Sequence, residues 1–155
     1  MPSARGLRVA VVVSQYHDQI TDALREAAVG CFTTAGGAAD DLTLVESPGA
    51  FELIAIGKAL AERGDVDAIV ALGCIITGET THDQYIAHAV ATGISNIITA
   101  TGVPIAFGVL TCQSLEQARA RAGGRVGNKG EEAMVAAIAA ANAIRAIQAS
   151  QRAGI

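Results

Sequence analysis

The sequence predicts a doubly wound α/β domain, a parallel sheet of four strands with helices on both faces. Two observations carry this prediction. Its apolar runs are continuous and β-branched, not alternating, and segments with helical spacing separate them. At 155 residues the chain fits a single domain, residues 1–155, whose core needs no disulfide or metal staples.

Leu7–Val13, Val66–Ile76 and Val103–Leu110 are the three long runs, as expected of strands covered on both sides, and Leu42–Glu46 is a shorter fourth strand. The first intervening helix carries Ile20, Leu24, Ala27 and Ala28 on one face. A second, led in by Pro48 and Gly49, carries Phe51, Ile54, Leu60 and Ala61. A third is expected to start at Thr80, where Thr80 and Asp83 form a capping pattern. It presents Ile86, Val90, Gly93 and Ile97 on one face until Gly102 and Pro104 stop it. A fourth, Ser114–Ala122, ends at the Gly123-Gly124 pair. Asn128, with Glu131 three residues on, then caps a long alanine-rich last helix.

Bulk properties exclude several classes. Half of the residues are apolar and the mean hydropathy is +0.40, yet no apolar run approaches the roughly 20 residues of a membrane span. A soluble chain with no membrane partner is expected. With only 17% charged residues it should hide more apolar surface than one core consumes, which predicts an oligomer. The formal net charge is −4, with no basic run and few aromatics, so nucleic acid is not an expected partner. Cys31, Cys74 and Cys112 are odd in number, far apart and outside any CxxC, which suits buried thiols in a reducing compartment. Met1–Arg8 has no apolar stretch with a cleavage site, so the expected location is the cytoplasm.

Doubly wound sheets bind ligands beyond the carboxyl ends of their strands. Chemistry is therefore sought in Ser14–Asp18, Ser47–Glu52, Thr77–His82 and Thr111–Ser114. Neither a GxGxxG nor a GxxxxGK[ST] loop occurs, and no cofactor is expected. Gly78-Glu79-Thr80-Thr81-His82 instead makes a glycine-led turn into a helix, whose free N–H groups suit a phosphate. An ordinary helix start explains the same residues. His82 lies in the first turn of that helix, a fit acid/base group. His88 is six positions on, off the spacing of a metal pair, so no metal site is expected.

Tyr16 and Phe51 follow predicted strands and Phe107 lies in the Val103–Leu110 strand, which concentrates flat apolar surface near the crevice; core packing is the competing reading for Phe51 and Phe107. Glu52, one turn into its helix, is placed either to accept from ligand hydroxyls or simply to face solvent at a helix start. Arg121, Arg125 and Lys129 surround the glycine-rich joint, as phosphate partners or as dipole partners. The pairs His17-Asp18 and His82-Asp83 lack a serine nucleophile and make no triad.

S-Q-Y-H-D, P-G-A-F-E, L-G-C-I-I-T-G-E-T-T-H, P-I-A-F-G-V-L-T and R-A-G-G-R-V-G-N-K-G follow one another between Ser14 and Gly130, within a likeness that runs from near the first residue to Ala149. In this order and at these separations the chain resembles the lumazine synthase family. The resemblance implies a flavodoxin-like three-layer sandwich. It implies that 5-amino-6-(D-ribitylamino)uracil and 3,4-dihydroxy-2-butanone 4-phosphate condense without a cofactor to 6,7-dimethyl-8-ribityllumazine, the penultimate step of riboflavin biosynthesis. Tyr16 would stack on the pyrimidinedione. Ala50, Phe51 and Glu52 would line that substrate and hold its ribityl chain, and Cys74, Ile75 and Ile76 would bind the ring by backbone contacts. Glu79 and Thr80 would hold the phosphate with Arg121 as clamp, and His82 would move the protons. Phe107 and the Arg121 region would come from a neighbouring subunit.

Family members form pentamers that stack or close into icosahedral shells, and riboflavin synthase is the further partner the resemblance raises. The compact Gly123–Gly130 joint leans toward a shell. Tyr16 stands here for the usual Phe or Trp, His17 for Asn, and Thr77 for a frequent cation, while the stretch before Leu7 is short. Two rival readings share the fold: a lumazine-synthase-like riboflavin synthase, against which the intact G-E-T-T-H and G-A-F-E speak, and a non-catalytic flavin-binding shell protein, against which His82 and Arg121 speak.

Overall fold

Each β-branched run becomes a strand because helices cover it from both sides. In the computed structural model, which describes residues 1–154, β1 (Val9–Ser14) is buried at every position and β3 (Ala68–Ile76) almost throughout. Ile155, the last residue of the domain expected over 1–155, lies outside the described residues. With β2 (Leu42–Ser47) and β4 (Ile105–Cys112) they form a parallel sheet in the order β2-β1-β3-β4. Val9 lies opposite both Leu42 and Ala68, and Ile69 opposite Ile105. This is the expected flavodoxin-like, three-layer arrangement.

The strand period of two divides the core into two layers. Val9, Val11 and Val13 of β1, with Val70, Leu72 and Cys74 of β3, face α1 (Asp18–Thr34) and α5 (Lys129–Arg152). Ala10, Val12, Ile69, Ala71 and Ile75 face α2 (Leu53–Arg63) and α3 (His82–Thr101). The first turn of α5 packs directly on α1: a Cβ on Gly130 would overlap the backbone of Leu24. Asn128 fixes this join, its Oδ1 accepting from the Gly130 N–H at 2.8 Å and its Nδ2 donating to the Ala23 carbonyl at 3.2 Å. The expected Asn128 cap is therefore present.

At the opposite end of the sheet an ion network ties the chain start to α5. Asp67 accepts from the Arg8 backbone N–H at 2.7 Å and from the Arg145 guanidinium at 2.8 Å, with the Arg8 guanidinium at 3.5 Å. Burial pushes the Asp67 carboxyl up, but the hydrogen bonds from Arg8 and Arg145 outweigh it and hold it below the usual carboxylate range.

Several expected boundaries need correction. Leu7 and Val66 are buried but precede their strands, because core contact extends into the entry turns. The second helix begins at Leu53, which leaves Phe51 and Glu52 in the turn before it. The third begins at His82, not Thr80. Thr80 Oγ1 accepts from the His82 N–H at 3.4 Å in a local turn, and Thr81 stands at the cap position with no side-chain cap bond. The fourth, α4 (Leu115–Ala120), is capped by Ser114 but stops before Arg121. The Gly123-Gly124 pair does not simply end it: a small hairpin, β5 (Ala122–Gly124) and β6 (Gly127–Asn128), follows, made possible by φ of 102° at Gly123 and 105° at Gly127. Finally, α5 is long and apolar enough to cross a membrane by length and composition, contrary to the expectation that no segment would be. Of its residues, Gly130, Ala133, Met134, Ala137, Ile138 and Ala141 are buried within the domain.

Candidate active site

From β1 the chain passes to β2 on one side of the sheet, and the path then returns across β1 to β3 on the other. A crevice of about 960 Å³ opens at that switch point, where parallel sheets bind ligands.

Its first wall comes from the end of β1. The Gln15 N–H donates to the Ser47 carbonyl at 2.7 Å and the Tyr16 N–H to Ser14 Oγ at 3.3 Å, which turns the chain outward. The Tyr16 side chain is then largely exposed and lines the crevice. His17 caps α1 in the left-handed region, φ 61° and ψ 52°, the only non-glycine with positive φ among the described residues. Such a conformation costs on the order of 1–3 kcal/mol. Its carbonyl accepts from the Ile20 and Thr21 N–H groups, and its ring meets Tyr16 edge to face with centroids 4.7 Å apart.

The second wall follows β2. Buried Ser47 donates through Oγ to the Gly49 carbonyl at 2.7 Å, closing the turn that carries Ala50, Phe51 and Glu52 into the crevice. The Glu52 carboxylate lies 2.9 Å from where a Cβ on Gly49 would stand, so only glycine leaves that side chain its place. Glu52 sits at the cap of α2, not one turn into it, and Phe51 is 55% exposed, which removes core packing as its role.

The end of β3 forms the floor. Cys74 points into the α1/α5 core and Ile75 into the α2/α3 core, with Ile76 next along the strand at the rim. Burial, and secondarily the Cys112 thiol, push Cys74 up to about 12, so it is a neutral thiol and no nucleophile at physiological pH. All three cysteines are free and buried, as expected.

The third wall is the start of α3, where Gly78, Thr80, His82 and Asp83 line the crevice. Asp83 Oδ2 accepts from Thr77 Oγ1 at 3.4 Å, whereas the buried Oδ1 has no partner among the described residues. Sequence reading gave Asp83 no function and passed over Tyr85, yet both line the crevice, together with Ile86 and Ala89. The i, i+3 spacing from His82 to Tyr85 was the available signal.

Three expected site residues lie elsewhere. Glu79 is exposed but not on the crevice lining. Phe107, 41% exposed and so not core, borders a smaller depression of about 420 Å³ with Thr77, His88 and Gln113. Arg121 follows α4 and donates through Nη1 to the Gln117 carbonyl at 3.1 Å. Among the described residues no Lys or Arg lines the larger crevice, whose acidic groups are Glu52 and Asp83.

Fold and crevice together define a flavodoxin-like α/β protein whose switch-point site offers aromatic faces, hydrogen-bonding groups and an imidazole at a helix start. The family model described as 6,7-dimethyl-8-ribityllumazine synthase matches residues 6–145. Curated proteins named 6,7-dimethyl-8-ribityllumazine synthase from two strains of Thermus thermophilus are each 43% identical over 135 residues, 87% of this chain and 86% of theirs. The chain belongs to the 6,7-dimethyl-8-ribityllumazine synthase family.

Proposed function

We propose that this chain condenses 5-amino-6-(D-ribitylamino)uracil with 3,4-dihydroxy-2-butanone 4-phosphate to 6,7-dimethyl-8-ribityllumazine, a transferase step of riboflavin biosynthesis. The observation that carries the reading is the convergence of Tyr16, Phe51, Glu52 and His82 on one crevice in a member of this family.

The free amine attacks the ketone and water leaves to give an imine. Phosphate is then eliminated to an enol, and the ribitylamino nitrogen closes the ring with loss of a second water. Tyr16 stacks on the pyrimidinedione while Cys74, Ile75 and Ile76 meet its edge through their backbone. Ala50, Phe51 and Glu52 hold the ribityl chain, whose hydroxyls donate to the Glu52 carboxylate. His82 takes and returns the protons of imine formation and ring closure. Holding two reactive partners in register supplies much of the remaining acceleration.

Thr80, on the crevice lining, and Glu79, next to it in the chain but off the lining, receive the phosphate through the turn before α3. The His82 N–H is already engaged by Thr80 Oγ1, which shifts the neutralisation of the anion to a cation. That cation is Arg121, brought with Phe107 by a neighbouring copy, since neither lines the crevice of its own chain. Self-association into pentameric rings, or multiples of them up to an icosahedral shell, therefore completes the site. The exposed Leu44, Phe107 and Val126 supply apolar surface for it. Riboflavin synthase, which consumes the product, is the proposed further partner. Three buried free thiols are consistent with the proposed cytoplasmic setting.

Mixing both substrates with the chain and following lumazine absorbance together with released phosphate tests the reading. One phosphate per lumazine is expected. Riboflavin formed from lumazine alone, or ligand binding without turnover, would replace it with one of the two rival readings.

A further inference from the structure

His17 stands out from the rest of the crevice in two independent ways. It holds the only left-handed non-glycine backbone among the described residues, and its ring makes an edge-to-face contact with Tyr16 at 4.7 Å and 73°. A strained backbone persists where the surroundings over-determine it, and such positions gather at ligand sites. The two rings are the whole aromatic furniture of the first wall, and both line the crevice.

The backbone geometry accounts for the contact. Consecutive side chains in an extended segment point to opposite sides, which would carry the residue after Tyr16 away from it. The left-handed turn at His17 reverses the chain into α1 and brings the imidazole back beside the phenol. Tyr16 needs such a neighbour. It is largely exposed, and its backbone N–H to Ser14 Oγ fixes the chain there but not the ring.

We propose that His17 is a positioning residue for the ring-binding substrate: its imidazole holds the Tyr16 phenol edge to face, so that the open face of Tyr16 is preset to stack on a flat heterocycle. This rests on the reading of Tyr16 as the stacking surface for the ribitylaminouracil. His17 acts through Tyr16, and its contribution disappears when the phenol is removed.

A double-mutant cycle tests this. Asparagine tolerates the left-handed backbone, so His17→Asn removes the ring without adding strain. Binding of 5-amino-6-(D-ribitylamino)uracil should weaken about two- to twelvefold, the worth of one edge-to-face pair, and by less than about twofold when the same change is made in Tyr16→Ala. The KM for the butanone phosphate should stay as it is. Affinity unchanged in His17→Asn, or equal losses in both backgrounds, would overturn the proposal; equal losses would make His17 a direct ligand. His17→Gly separates strain from contact, since it should hold or raise the melting temperature while still losing affinity.

A readout without ligand keeps the test independent of the proposed activity. The chain has two tyrosines and no tryptophan, so its near-ultraviolet circular dichroism reports ordered tyrosine rings. His17→Asn should diminish that signal; an unchanged spectrum contradicts the positioning role. Failure of the wild-type chain to bind the uracil at all would sink the proposed function, with the spectrum still deciding whether His17 orders Tyr16.

Discussion

The Arg121 guanidinium donates to the Gln117 carbonyl at 3.1 Å, an i−4 contact that lays it along α4 and off the lining of the crevice where His82 stands. The strongest candidate phosphate cation is thus oriented by its own chain toward something outside that chain's crevice. A carbonyl partner leaves the remaining guanidinium donors free for an anion.

Arg121→Ala should therefore raise the KM for the butanone phosphate about ten- to a hundredfold, the worth of a charged hydrogen bond. The KM for the uracil should change little, as should the melting temperature. Steady-state titration of each substrate at saturation of the other checks the split; a rise confined to the uracil would reassign Arg121.

His82→Ala should lower kcat by about a hundredfold without reducing turnover to the uncatalysed level, because proton transfer is lost while orientation survives. Single-turnover measurements compare the two. Unchanged turnover would remove the imidazole from the mechanism.

Tyr85 lines the crevice one turn after His82 and is 73% exposed, so its ring contributes little to the fold. Tyr85→Ala should weaken substrate binding about three- to tenfold while leaving thermal stability near that of the wild type. Thermal melts alongside KM values separate a binding role from a packing one.

The fold was legible because burial on both faces selects the same residues everywhere in β1 and β3, so their runs needed no long-range information. The ends were harder to read. Leu7 and Val66 are as apolar as strand residues because the entry turns are also covered. Thr80 resembles a cap and its hydroxyl does accept from the His82 N–H, yet the helix begins only at His82, so Thr81 takes the cap position. The hairpin after α4 depends on two left-handed glycines, Gly123 and Gly127, that read equally well as a plain helix stop. In the site, Tyr16, Phe51 and His82 were visible as residues that follow strands or open helices. Tyr85 was not, since a helical aromatic looks like core until its exposure is known. Asp83 was set aside as half of an idle His-Asp pair; only its unpartnered Oδ1 marks it out.

Asp67 is held ionised by Arg8 and Arg145 despite its burial, with its carboxyl below the usual carboxylate range in the folded chain. A depressed folded value means that the contribution is present above the unfolded value and is lost as pH falls through the folded one. Asp67→Asn should cost on the order of 1–2 kcal/mol at neutral pH, allowing for solvent screening of the half-exposed arginines. The deficit should shrink as acid protonates the wild-type carboxyl. Denaturant midpoints across that range check it, and a deficit independent of pH would assign the effect to packing.

In the proposed function each site is built from two copies of the chain, His82 from one and Arg121 from the next. Co-refolding His82→Ala with Arg121→Ala in equal amounts tests it most directly, assayed at a butanone phosphate concentration far below the Arg121→Ala KM. Random mixing in a cyclic assembly leaves about a quarter of the sites with both wild-type residues. The rate should then rise well above the mean of the two separate variants, approaching a quarter of the wild-type rate. A mixture that only averages its two components would place the whole site within a single chain and overturn the shared site.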